Sequence, residues 1–143
     1  MNLPTQLFLD GAWRDAASGR RTTLINPATE EAFADVAAAD VADVSTAVES
    51  AQQAWESGWR DLAPGKRTEI LFNVARLLRE NMERIAQLET LHIGKPISDA
   101  RDEAGLGARV FEYYAGAVTK FCGQTIPVSR GALTSPCASP WAW

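Results

Sequence analysis

From Asp40 the spacing of apolar residues changes from two to 3.6, and the new period holds to about Phe121. Val41, Val44, Val48, Ala51 and Trp55 fall on one helical face behind Asp40, a fitting N-cap, and Gly58 is predicted to end that helix. A second helix after Pro64 turns Ile70, Leu71, Val74, Leu77 and Leu78 inward and Arg67, Glu69, Arg76 and Arg79 outward. The third carries Ile85, Leu88 and Leu91 and stops at Gly94 before Pro96. A fourth, from about Ser98 to Phe121, aligns Ala104, Ala108, Phe111, Tyr114 or Ala115, and Val118; Gly105 and Gly107 weaken it, each by about 1 kcal/mol relative to alanine. Each stripe needs a surface to cover it, and the segment contains no strand that could serve. The helices read as a covering layer without its sheet.

Strand signals lie only at the two ends. Gln6 to Trp13 reads as a strand broken by Asp10-Gly11, a dipeptide suited to a tight hairpin turn, and after a turn at Ser18-Gly19, Thr22 to Ile25 is expected to return as its paired strand. Pro27 then holds Asn26 extended. At the other end, Gln124 to Val128 looks like the start of a short strand. The final run, Thr134 to Trp143, has no period and no charge, and Pro136 and Pro140 each remove a backbone donor. No internal repeat is present.

The 143 residues suffice for one compact domain, which commonly takes roughly 100 to 150 residues. A net charge of -4, with only isolated basic pairs at Arg20-Arg21 and Lys66-Arg67, argues against a nucleic-acid partner, which would need a clustered basic face. Met1 to Leu9 lacks the basic and apolar regions of a signal peptide, and no window reaches the roughly 18 apolar residues of a membrane span, so a cytoplasmic protein away from membranes is expected. Cys122 and Cys137 fit neither a metal motif nor an expected disulfide. Pro64-Gly65-Lys66-Arg67 lacks the preceding glycines of a phosphate loop and reads as a helix start.

Several runs converge on one family. Leu7-Phe8-Leu9-Asp10-Gly11-Ala12-Trp13, Ile25-Asn26-Pro27-Ala28-Thr29-Glu30-Glu31 and Ala47-Val48-Glu49-Ser50-Ala51 resemble the N-terminal segment of NAD(P)-dependent aldehyde dehydrogenases. Leu88-Glu89-Thr90-Leu91, Gly94-Lys95-Pro96, Tyr113-Tyr114-Ala115-Gly116 and Gly123-Gln124-Thr125-Ile126-Pro127 follow in the family's order, so the resemblance covers Leu7 to about Gly131. It implies an α/β fold with a Rossmann-like cofactor domain. Residues 1–131 would be the N-terminal part of that domain, mostly helical behind an N-terminal β-hairpin, packing on a parallel sheet most of whose strands come later.

The family oxidises an aldehyde to a carboxylic acid with NAD or NADP, through a cysteine thioester hydrolysed with help from a glutamate base. Those groups and the cofactor loops lie beyond the residues that match, so the resemblance assigns no catalytic, cofactor-binding or metal residue here. The fragment is expected to be inactive and to hold no nicotinamide tightly. Intact members are homo-oligomers; the fragment is expected to aggregate or, alternatively, to serve as a non-catalytic module pairing with an intact paralogue.

The resemblance also accounts for the tail. Codons for Thr-Ser-Pro-Cys-Ala-Ser-Pro-Trp-Ala-Trp, preceded by one restored G, can be read as Asp-Phe-Thr-Leu-Arg-Glu-Pro-Leu-Gly-Val, and the family typically continues with an Arg-Glu-Pro-Leu-Gly-Val-like segment. Residues 132–143 are therefore read as out of frame after a single-base deletion or sequencing error near codon 134, with Cys137 its product.

Individual candidates have plainer readings beside the chemical ones. Cys122 precedes a Gly-Gln pair, whereas the family nucleophile follows one; it reads as a semi-buried thiol at a helix end. His92 stands where many relatives carry an aspartate, which in some helps hold a monovalent cation beside the backbone near Leu24 and Ile25; imidazole is a poor substitute for that oxygen ligand, and no metal is assigned. Glu89 and Glu112 read as solvated helix charges, and Trp55, Trp59, Tyr113 and Tyr114 as packing surface.

Overall fold

A computed structural model describes residues 3–123 of the chain. The expected strand at Gln124 to Val128, Cys137 and the tail 132–143 lie outside the described residues. The order is two antiparallel hairpins followed by four helices.

The first hairpin pairs β1 (Leu7–Leu9) with β2 (Ala12–Arg14), Phe8 opposite Trp13 with ring centroids 5.1 Å apart. Asp10 and Gly11 both take left-handed backbone, φ 53° and 71°, as a two-residue turn of this hand demands. The next strand, β3 (Arg21–Ile25), does not return to this hairpin. It pairs with β4 (Ala32–Ala37), a segment the sequence did not mark as a strand. The loop between them supplies the reason: Asn26 Oδ1 accepts from Ala28 N at 2.9 Å, Asn26 O accepts from Glu30 N at 2.8 Å, and Asn26 N donates to Glu31 O at 2.9 Å. That turn reverses the chain at once and brings Ala-Phe-Ala-Asp-Val-Ala, whose alanines carry little strand preference, against β3.

Helix α1 (Val41–Ala54) starts as predicted at Asp40, whose Oδ1 accepts from Ala42 N at 3.0 Å and Asp43 N at 3.4 Å, while Asp43 Oδ2 accepts from Asp40 N at 3.0 Å. This reciprocal box satisfies amides that the helix itself leaves unpaired. A wide turn over Trp55–Trp59 leads to α2 (Pro64–Glu80), with Pro64 in the first turn. Helix α3 (Met82–Ile93) ends at Gly94 in left-handed conformation, φ 74°, as expected. Pro96 is the N-cap of α4 (Ile97–Ala117), two residues after the glycine that ends α3. Gly105 and Gly107 leave α4 unbroken, and a 3-10 turn over Val118–Lys120 follows it.

Helix α4 lies between neighbours, packing chiefly on α2 and on α3. The seam is made of alanine: Ala75 on α2, Ala86 on α3, and Ala100, Ala108 and Ala115 on α4 have no exposed surface. Small side chains let the backbones approach closely, and Thr68 Oγ1 donates to Ala115 O at 3.1 Å across the α2–α4 contact. Ion pairs rim the seam, Arg79 with Glu112 and Arg101 with Glu83.

The predicted apolar stripes fare differently. On α1, Asp43 is buried while Val41 and Val48 are 83% and 63% exposed, so this part of the apolar face points to solvent among the described residues. On α2, Ile70 and Leu77 are likewise exposed; on α4, Phe111 and Tyr114 leave the seam to alanines. No large side chain among the described residues is fully buried.

Candidate functional site

A concave region lies between the β3–β4 hairpin and α3. Leu24 and Phe33 from the strands and Ile85, Leu88, Glu89 and His92 from the helix contribute to a largely apolar cavity of about 430 Å³. Helical spacing places Glu89 and His92 three residues apart and therefore on one face, and the β3–β4 turn brings Phe33 over it. His92 meets Phe33 edge-on, with centroids 6.4 Å apart and planes at 75°.

Glu89 is not the solvated charge that the sequence suggested. Its Oε1 accepts from Lys95 Nζ at 2.7 Å, and Lys95, largely shielded, also pairs with Glu103 on α4. Glu103 first, then Glu89, raises the Lys95 pKa, and Lys95 in turn lowers that of Glu103. A lysine held as a cation between two carboxylates fixes the α3–α4 corner and leaves Glu89 no free role as a base. Gly94 makes this corner possible: a side chain there would meet Pro27 Cγ at 3.0 Å, and the backbone is left-handed. Glu112 belongs to another place, bidentate to Arg79, with the second contact at 2.7 Å. Arg79 lowers its pKa.

Two further expectations need correction. Cys122 is exposed beyond the 3-10 turn, not semi-buried. Arg67, read as outward, is half-buried: its Nη2 donates to Trp59 O at 2.9 Å and Arg60 O at 2.8 Å, and its guanidinium lies 5.9 Å from the Trp59 ring centre. The carbonyls of the irregular turn need a donor, and Arg67 is one helical turn into α2. Tyr113 and Tyr114 stack edge to face, 5.3 Å apart, on exposed helix.

No group of three His, Cys, Asp or Glu residues among the described residues could hold a metal ion. A dinucleotide site is built at the carboxyl ends of parallel strands, where a glycine-rich turn enters a helix. The described strands are two antiparallel pairs, which do not fit that group. No described helix is long and apolar enough to cross a membrane. The sequence signals that were available and passed over are the acid three residues after Asp40 and the lysine between Gly94 and Pro96.

The model described as the aldehyde dehydrogenase family matches residues 13–141. An aminoacetaldehyde dehydrogenase of Pseudomonas aeruginosa is 37% identical over 142 residues, 98% of this chain and 29% of that protein. A phenylacetaldehyde dehydrogenase of Pseudomonas fluorescens is 38% identical over 131 residues, 90% of this chain and 26% of that protein. The indole-3-acetaldehyde dehydrogenase AldA of P. syringae, solved with NAD+ and IAA, superposes with a TM-score of 0.89 at 37% identity, covering 93% of this chain and 27% of that one. The chain thus spans between a quarter and a third of the length of these relatives.

Proposed function

The chain belongs to the aldehyde dehydrogenase family, and from that premise we propose that its residues serve aldehyde oxidation as scaffold and not as chemistry. Residues 1–131 are the N-terminal part of the cofactor-binding domain, and residues 132–143 are a tail read out of frame. The reaction converts an aldehyde to a carboxylic acid with NAD or NADP through a cysteine thioester, by groups outside residues 1–131. Substituted acetaldehydes, named for the relatives above, are the first substrate class to test.

One observation carries this reading. Helix α4 is apolar on both sides: alanines face α2 and α3, while Leu106, Val110 and Tyr113, the last 73% exposed, recur at i, i+4 and i+7 on the opposite side. A helix with apolar residues on two opposite sides fits between two layers, and among the described residues only one layer covers it. The 143-residue polypeptide, assayed alone with substituted acetaldehydes and NAD+ or NADP+, is expected to form no reduced nicotinamide. Robust turnover by the pure polypeptide would refute the reading.

The exposed Val41, Val44 and Val48 stripe favours a second reading, in which the polypeptide pairs with an intact aldehyde dehydrogenase. Co-elution with an intact relative on gel filtration supports it, and separate elution removes it.

A further inference from the structure

The cavity beside His92 is built against the ligand that relatives with aspartate at that position hold. A monovalent cation needs several oxygen ligands converging on one point, and the walls here are the hydrocarbon of Leu24, Phe33, Leu88 and Ile93. The one carboxylate that reaches the cavity, Glu89, already accepts an ammonium from Lys95 at 2.7 Å, which places a positive charge beside any incoming cation. His92 offers imidazole nitrogen, a ligand for transition metals more than for hard cations. Its ring instead lies edge-on to Phe33 at 6.4 Å, a favoured aromatic geometry.

We propose that in this chain an aromatic contact between His92 and Phe33 replaces the cation, tying α3 to the β3–β4 hairpin without a bound ion. The inference rests on the family reading, since only that makes position 92 an ion position. Phe33 lies on β4 and His92 at the end of α3, so the contact joins the two elements that border this cavity.

Thermal unfolding of the full polypeptide in sodium, potassium and choline chloride at equal ionic strength tests this. The three melting curves are expected to superimpose, because an ion that binds only the folded state would raise Tm with its concentration. A Tm rise specific to sodium or potassium, retained in His92→Ala, would overturn the proposal. His92→Asp is expected to acquire that cation dependence, and if it melts as the parent does in all three salts, residue 92 is not the deciding position. Phe33→Ala is expected to lower Tm equally in the three salts; an unchanged Tm would remove the aromatic contact as the replacement. Sodium-23 relaxation reads the same question without cooperative unfolding, with no excess relaxation expected for the parent chain. Turnover by the polypeptide would end the scaffold reading and leave these melts unchanged, so the two failures are separable.

Discussion

The Asp43 carboxylate accepts the Ala17 amide at 3.0 Å across 26 residues of sequence. Its other oxygen accepts from Asp40 N, so one side chain closes the first turn of α1 and fastens that turn to the segment between the hairpins. Asp43 is 8% exposed and is the one buried charged residue among those described. The two amides stabilise its charged form: the Asp40 and Ala17 amides hold the carboxyl below its ordinary value.

Removing the two caps should therefore have unequal effects. Asp40→Ala takes away an ordinary N-cap and is expected to cost about 1 kcal/mol. Asp43→Ala strips an acceptor from both Asp40 and Ala17, and urea unfolding should show the larger loss, with faster hydrogen exchange at the Ala17 amide. Equal losses would mean that the long-range bond contributes nothing.

Acid should loosen the same chain in two places. Glu83 is lowered to about 2 from 4.5, chiefly by its hydrogen bonds from Arg101, and Asp43 is lowered from 3.8 by backbone amides. Depressed folded-state values mean that this stability is complete above the unfolded values and is lost as pH falls from about 4.5 toward 2. Glu83 is exposed, so solvent screening keeps its share small. The urea midpoint should fall between pH 5 and pH 2, and Glu83→Gln should flatten part of that fall; a midpoint independent of pH there contradicts the assignment.

Gly94→Ala should be more harmful than a helix-end substitution elsewhere. The left-handed backbone alone costs an alanine about 1–2 kcal/mol, and the new methyl would meet Pro27 Cγ at 3.0 Å. Pro27→Ala in the same chain should recover the steric part and not the backbone part. Additive losses in the double variant would show that the contact relaxes freely.

The exposed stripe of α1 makes a prediction about solubility. Val44→Glu with Val48→Lys should leave helix content unchanged, shift stability within about 0.5 kcal/mol, and reduce dye binding and aggregation. Loss of helix signal instead would mean that this face is buried by the chain itself.

Local chemistry in the sequence determined the helices. Asp40 as cap, Pro64 in a first turn, Gly94 as a left-handed stop and the turn at Asp10-Gly11 each act within a few residues, and each is found as read. The family was equally legible, because runs such as Gly94-Lys95-Pro96 keep their order and spacing whatever the packing. Tertiary structure alone decided which strand β3 pairs with, since Ala32 to Ala37 has no pattern of its own and is recruited by the Asn26 turn. It also decided which apolar stripes are covered. Periodicity reports that a face is apolar, but whether that face is buried depends on what stands opposite: alanines on α2, α3 and α4 found partners, and the valines of α1 did not. His92 followed the same rule, for its partner Phe33 was set by a hairpin that no spacing along the chain displays, whereas the Lys95 partner of Glu89 stands in the sequence between Gly94 and Pro96.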